Sequence, residues 1–312
     1  MHSNGNLGHH PEFGAGSQPK EVRRASWRPK LRLKYDLVAA ADFGSVAEEW
    51  ADPHCDLNHM KLTATGRILF WRGGSLWIGH AGEPTGFHAH HAVQIALPFP
   101  GDRVRFKGLS RSWTSYAATL VTAHHPHAFE ARSQLVAQIF VEPESREGRH
   151  LLRRYRNEGI VALAPETLKQ EIAGLAAAFE KRVSDAALIT LARAAIDTVS
   201  GAIPQPMKSP DARISRALEL MRDRRGDSIP LRAMAAAVHL SPDRFRHLFM
   251  KETGVGFRAY LLWLRLECSL SAYVAGETLT EAAHTGGFAD SAHLSRTFRR
   301  MFGIAPASVK LQ

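Results

Sequence analysis

The pattern of apolar and polar positions divides the chain into regions that differ in the spacing of their apolar residues. Residues 1–60 are polar and basic without consistent periodicity, which predicts a flexible or poorly ordered arm. Over residues 61–143, short apolar runs alternate with turn residues, as in β-strands. Over residues 144–202, apolar positions recur at spacings of three and four, which predicts amphipathic helices. The prolines of residues 203–210 end this pattern and predict a linker.

The strand region is predicted to form a small β-barrel or sandwich. Its candidate strands are ILFW and SLWIG around a Gly-Gly turn, followed by AVQIAL, RVRFKG, AATLVTA and LVAQIFV. The helices that follow are rich in Ala and Leu and must bury their apolar faces. They can do so on the barrel or on the same helices of a second subunit, and both alternatives remain open.

Residues 211–312 contain one helical pattern twice. Ala235 recurs as Ala283, and Gly254 recurs as Gly303, so the two copies lie 48 or 49 positions apart. Each copy predicts a short helix, a tight turn and a longer helix that stops at its glycine. This is the pattern of a helix-turn-helix, and two such units give a protein two elements to place in DNA major grooves.

Helical periodicity separates a buried face from an exposed face in the longer helix of each copy. The face predicted to be buried carries Phe245, Leu248 and Phe249 in the first copy and Leu294, Phe298 and Met301 in the second. The remaining positions are mostly cationic or polar. The candidate DNA-binding residues are Asp243, Arg244, Arg246, His247, Lys251, His293, Ser295, Arg296, Arg299 and Arg300.

These candidates are expected to have different roles. Arg296 lies early in its helix, the part that reaches base edges, and Arg can bond O6 and N7 of guanine. Lys251, Arg299 and Arg300 lie one turn further along and are better placed for phosphates. An acid in the first turn, such as Asp243, also complements the helix dipole, so its role has a structural alternative.

The segments LSPDRFRHLFMKETGVGFRAYLLWLRL and TEAAHTGGFADSAHLSRTFRRMFGIAPASV resemble the DNA-binding domain of the AraC/XylS family of bacterial transcription regulators. The resemblance covers nearly the whole C-terminal module. It implies seven helices, with residues 257–270 in a long helix that joins the two units, and recognition helices in successive major grooves on one DNA face. The positions it assigns to DNA contacts are Asp243, Arg244, His247, Ala292, His293 and Arg296. The chain departs from common family patterns in its acidic Asp243 and in Ala292, which has no hydrogen-bonding group.

A second resemblance lies in the strand region. The spacing resembles the first cupin motif, with Gln where Glu is usual, at positions Gly82, His88, His90, Gln94 and Gly101. His127 stands where the second cupin motif supplies its ligand. Histidines two apart on a strand point to the same face, so these side chains are candidates for a divalent-metal site, although Gln is a poor metal ligand. The alternative is that the same side chains line a pocket for an organic effector.

Composition narrows the classes of partner. The chain of 312 residues has a formal charge of +10 and a pI near 9.9, which favours polyanions or anionic surfaces. The sequence shows no apolar run long enough for a membrane span and no signal peptide, so a cytoplasmic protein is expected. Cys55 and Cys268 are far apart and indicate no disulfide framework.

The sequence therefore predicts an α+β multidomain protein, with an N-terminal cupin-like β-barrel, following helices and a C-terminal all-α double helix-turn-helix domain. The expected function is sequence-specific transcription regulation without catalysis, controlled by a small-molecule effector in the barrel. Its expected partners are double-stranded DNA, the effector, RNA polymerase and a second copy in a homodimer. Two alternatives remain: a metal-dependent cupin enzyme with an appended DNA-binding module, and a constitutive regulator whose barrel is only a dimerisation scaffold.

Overall fold

A computed structural model describes residues 64–110, 112–156, 158–201, 209–224 and 226–311. The predicted arm, 1–60, and most of the predicted linker, 203–210, lie outside the described residues. Within the described ranges, none of the helices is long and apolar enough to cross a membrane.

The strands form two sheets. They are β1 (Ala64–Trp71), β2 (Gly74–Ala81), β3 (Val93–Pro98), β4 (Val104–Lys107), β5 (Trp113–Tyr116), β6 (Thr119–Val121), β7 (Ala128–Glu130), β8 (Leu135–Val141), β9 (Ile160–Ala162) and β10 (Val309–Leu311). The larger sheet has the order β10-β1-β2-β8-β3-β6-β9, and the smaller sheet has the order β5-β4-β7. The β1–β10 pair is parallel, and the other pairs of the two sheets are antiparallel.

The predicted cupin-like barrel is not closed. The two edges of the larger sheet are formed by β9 and β10, and neither edge pairs with the smaller sheet. The sheets instead face each other across apolar residues such as Val104, Phe106 and Phe129. Strand β9 lies in the region predicted to be helical, and β10 lies in the module predicted to be all-α. Both strands are too short to show a clear period of two.

The helices are α1 (Arg146–Tyr155), α2 (Lys169–Glu180), α3 (Asp185–Ser200), α4 (Ala212–Asp223), α5 (Leu231–Ala237), α6 (Pro242–Thr253), α7 (Phe257–Val274), α8 (Leu279–Thr285) and α9 (Ser291–Phe302). The first three pack on the larger sheet: Leu175 and Ile196 share a core with Leu76 and Ile95. These helices thus bury apolar side chains against the chain's own sheet.

The C-terminal module has α-helices α4–α9 and ends differently from the seven helices that the family resemblance implied. After α9 comes a 3-10 turn, Pro306–Ser308, and then β10, which pairs with β1 of the larger sheet. Apolar side chains of the sheet, including Ile68 and Phe140, belong to the same core as the helices of the C-terminal module. The two regions are therefore packed together through a continuous apolar contact.

Candidate functional site

The two predicted helix-turn-helix units are present, and short-range hydrogen bonds define their longer helices. The Ser241 side chain accepts from the Arg244 amide at the start of α6, and Gly254 ends this helix in the left-handed conformation. Asp290 caps α9 by accepting from the His293 amide at 2.6 Å, and Gly303 ends it in the same way. The repeated sequence pattern is thus a repeated structure.

The predicted division into two faces is also observed. All six residues of the predicted inward face are buried, and Phe245, Phe249 and Phe298 are fully so. On the outward face, Asp243, Arg244, Arg246, His247, Lys251, Arg296 and Arg299 are exposed, whereas His293, Ser295 and Arg300 are partly buried. Burial lowers the pKa of the Arg300 guanidinium.

The two outward faces differ in charge. On α6, Asp243 forms a salt bridge of 2.5 Å with Arg246, the side chain one turn later. This pair neutralises part of the cationic surface of the first helix. On α9, Arg296 and Arg299 form no salt bridge with any residue that the structure describes. The second helix therefore presents the stronger positive charge to a polyanion.

The candidate ligand residues of the strand region meet in one buried cluster. His88 and His127 exchange two backbone hydrogen bonds of 2.9 Å, and this short ladder brings the second predicted motif beside the first. One ligand atom from each of His88, His90 and His127 lies within 4.8 Å of the others. The Oε1 atom of Gln94 is 3.1 Å from Nε2 of His90 and 3.0 Å from Nε2 of His127.

Burial keeps these histidines in their neutral form. Burial, followed by the charge of His90, lowers the pKa of His88 to about 3. Burial also lowers the pKa of His90 to about 4 and the pKa of His127 well below its usual range. Neutral imidazole keeps one nitrogen lone pair, which is the form that binds metals or accepts hydrogen bonds.

An open cleft lies next to the cluster, between the larger sheet and the end of the C-terminal module. Including its mouth, the cleft contains about 730 Å³. Its apolar wall comes from both regions and includes Trp77, Phe129, Phe140, Phe302 and Ile304. The polar groups along it include Arg67, His80, His88, Gln94 and Gln138. A mostly apolar lining with a few polar groups is typical of sites for small organic molecules.

Comparisons with known proteins agree with the repeated helical pattern. Residues 234–312 match the model of a helix-turn-helix domain family. The HTH-type transcriptional regulator YidL of Escherichia coli K12 is 39% identical over 77 residues, which are 24% of this chain and 26% of that protein. The regulatory protein PocR of Salmonella typhimurium is 25% identical over 103 residues, which are 33% of this chain and 34% of that protein.

The C-terminal module is an AraC-type helix-turn-helix domain. The chain spans only about a quarter to a third of the length of these curated relatives, so their similarity concerns this domain. A similarity in fold extends further. The structure of ToxT from Vibrio cholerae O395 covers 76% of this chain and 96% of its own, with a TM-score of 0.50 and 12% identity. The fold of this chain, a β-rich region followed by helices, is therefore similar to that of a solved structure.

An ionic cluster that the sequence did not predict joins the AraC-type domain to the strand region. Arg222 of α4 forms salt bridges with Glu142 and Glu144, and His91 lies 2.9 Å from Glu144. Burial and the neighbouring Glu144 raise the pKa of Glu142. Burial acts in the same direction on Glu144, but His91 and then Arg222 lower its pKa to about 2. No local pattern marks partners that are about 80 residues apart in the chain.

Proposed function

We propose that this protein is a sequence-specific, DNA-binding transcription regulator whose DNA affinity is set by a small molecule bound in the interdomain cleft. The observation that carries the proposal is the position of α9. One face of this helix presents Arg296 and Arg299 to solvent, while its end supplies Phe302 to the wall of the cleft. A single helix thus borders both the candidate DNA-binding surface and the cleft.

The proposed roles of the DNA-binding residues follow from their exposure and position. Arg296, with His293 and Ser295 beside it, contacts base edges, and Arg299 and Arg300 hold the phosphate backbone. On α6, Arg244 and His247 face the DNA, and Lys251 contacts phosphate. Asp243 acts mainly within the protein, because its carboxylate complements the helix dipole and binds Arg246.

The proposed effector is a largely apolar organic molecule with at least one polar group. Aromatic side chains from the sheet and from α9 form the apolar wall, and polar side chains lie at its edges. A molecule that touches both regions changes how the AraC-type domain rests on the sheet, provided that it binds one arrangement better than the other. Homodimer formation and contact with RNA polymerase are further parts of the proposal, and both rest on the family resemblance.

DNA binding is tested by selecting duplexes from a random pool with the full-length protein and by mapping its bound sites on the chromosome. We expect both methods to return the same motif in two parts, one for each recognition helix. Binding without sequence preference would contradict the proposal.

Effector control is tested by screening small molecules for thermal stabilisation of the full-length protein. A ligand at 100 times its dissociation constant adds about 2.7 kcal/mol to the free energy of unfolding. We expect stabilising compounds to change the affinity for the selected duplex. If compounds bind the cleft without changing DNA affinity, the sheet region is a scaffold of a constitutive regulator. Turnover of a bound compound would instead favour the alternative of a metal-dependent cupin enzyme.

A further inference from the structure

The three buried imidazoles are oriented alike. In each ring Nδ1 lies within 2.8–2.9 Å of a backbone carbonyl oxygen: that of Gly86 for His88, of Ala92 for His90 and of His125 for His127. A carbonyl oxygen only accepts, so Nδ1 carries the proton in all three rings. Because neutral imidazole has a single N–H group, each Nε2 is left with its lone pair. Backbone carbonyls that fix the tautomer in this way are the usual outer partners of metal-binding histidines.

Several lone pairs of this cluster point toward one another, so the atoms that carry them repel each other. Nε2 of His90 and Nε2 of His127 both lie near Oε1 of Gln94, although none of these three atoms carries a proton. Two arrangements remove the repulsion. A cation can lie between them, or the amide of Gln94 can be turned so that its nitrogen donates to both rings.

The donor set selects the kind of cation. Neutral imidazole suits zinc, copper, iron, cobalt and nickel, whereas magnesium and calcium prefer oxygen ligands. Gln94 offers one uncharged amide oxygen, so the three histidines supply most of the affinity. Neutral ligands also leave the full charge of a divalent ion in place, which favours an anionic group of a ligand in the adjoining cleft.

The cluster is connected to the second recognition helix through Gly86 and through a ring contact. The carbonyl of Gly86 accepts from Nδ1 of His88, and the amide of Gly86 donates to the carbonyl of Gly303 at 2.8 Å. Gly303 ends α9. The ring of Phe302, the last residue of this helix, lies 6.1 Å from the ring of His90. A change in the position of either ring therefore reaches the end of α9 directly.

We propose that His88, His90 and His127 bind one divalent transition-metal ion, and that its occupancy controls the second recognition helix through the contact of Gly86 with Gly303. The metal-binding half stands on the cluster alone, and the regulatory half rests on the proposed DNA-binding function. The two halves have separate measurements, so either can fail without the other.

Metal binding is tested by titrating the metal-free, full-length protein with Co²⁺ and Zn²⁺. We expect one equivalent of Co²⁺ to give visible absorption bands that Zn²⁺ abolishes. His88→Ala and His90→Ala should each weaken binding at least about tenfold. His150→Ala is the matched control, because His150 lies on α1, outside both the cluster and the cleft. Absence of stoichiometric binding by the unmutated protein, or equal affinity in all three variants, overturns the proposal.

Gln94→Glu separates a metal site from a hydrogen-bonded cluster, since its two expected effects have opposite signs. Without metal, the substitution buries a carboxylate and should lower the melting temperature. With Zn²⁺ or Co²⁺, the carboxylate is a better ligand than the amide, so the variant should gain more stability from the metal than the unmutated protein does. A melting temperature that stays low with metal present contradicts the proposal.

The regulatory half is tested on the duplex selected by the protein. Affinity for this duplex should differ at least about fivefold between metal-free and metal-loaded protein, and the difference should vanish in His88→Ala. His150→Ala should retain it. Equal affinities in the unmutated protein overturn control by metal, while the selected motif itself still supports the DNA-binding function.

Discussion

Gly254 and Gly303 end the two recognition helices with the same left-handed backbone, at φ values of 76° and 72°, but in different surroundings. A Cβ atom at Gly254 would have His124 Nε2 as its nearest neighbour, at 4.0 Å. At Gly303 it would lie 2.4 Å from the carbonyl oxygen of Gly86 and 2.6 Å from Nδ1 of His88. Gly303 is thus fixed both by the helix end and by the contact with the strand region.

Substitution of these glycines by Ala should therefore have unequal effects. Gly254→Ala carries only the cost of the left-handed backbone, about 1 kcal/mol in the free energy of unfolding. Gly303→Ala adds a clash with backbone and should cost clearly more. It should also increase amide hydrogen exchange in β1 and β10, which Gly254→Ala leaves unchanged. Denaturant unfolding and hydrogen exchange measure both effects, and equal losses would show that the contact with Gly86 contributes nothing.

Arg296 and Lys251 offer a second comparison at the residue scale. Both are exposed, but Arg296 lies earlier in its helix than Lys251 does. Arg296→Ala should weaken binding to the selected duplex by about 1–3 kcal/mol and relax the preference at one base position. Lys251→Ala should weaken all duplexes alike and reduce the salt dependence by about one counterion. Binding titrations at several salt concentrations distinguish these results. Equal losses on selected and random DNA for Arg296→Ala would assign that side chain to phosphate.

At the scale of elements, helix α4 is attached to the strand region by Arg222. Its partners Glu142 and Glu144 are buried, with side-chain exposures of 2% and 4%. Arg222→Met would leave their charge without a cation from α4 and should cost about 3–5 kcal/mol of stability.

A second substitution identifies the cause of this loss. Glu142→Gln removes the carboxylate whose pKa is already raised, while Glu144 keeps His91 as its partner. The double variant Arg222→Met with Glu142→Gln should therefore recover a large part of the lost stability. Thermal and denaturant unfolding of both variants provide the measurement. A double variant no more stable than Arg222→Met would place the loss in packing instead of charge.

The sequence predicted those elements whose signals are local. The recognition helices α6 and α9 follow from a capping residue, a face of period 3.6 and a terminal glycine. Strands β9 and β10 have three residues each, and their pairing depends on a sheet edge distant in the chain. The histidine cluster could likewise be predicted from its spacing. The partners of Arg222 could not, because they are distant in the chain. Side-chain spacing is visible in a sequence, whereas contacts between domains arise only in the folded chain.

At the scale of the whole molecule, the sheet and the AraC-type domain share aromatic side chains. The ring of Trp77 lies 4.8 Å from that of Phe302, 6.2 Å from that of Phe298 and 5.3 Å from that of Phe140. Phe298 is also a fully buried residue of the second helix-turn-helix unit. A linker alone would let two domains move independently, but a shared core makes the stability of one depend on the other.

We therefore expect the chain to unfold in one calorimetric transition, with equal calorimetric and van't Hoff enthalpies. Trp77→Ala should destabilise the protein by about 3 kcal/mol and divide unfolding into two transitions, because it removes the side chain that both regions pack against. Trp113→Ala is the matched control, since Trp113 lies in the smaller sheet under Arg105 and Lys107 and should leave unfolding in one step. Two transitions in the unmutated protein would show that the regions are only tethered. Transmission from the cleft to α9 would then require the ligand itself to join them.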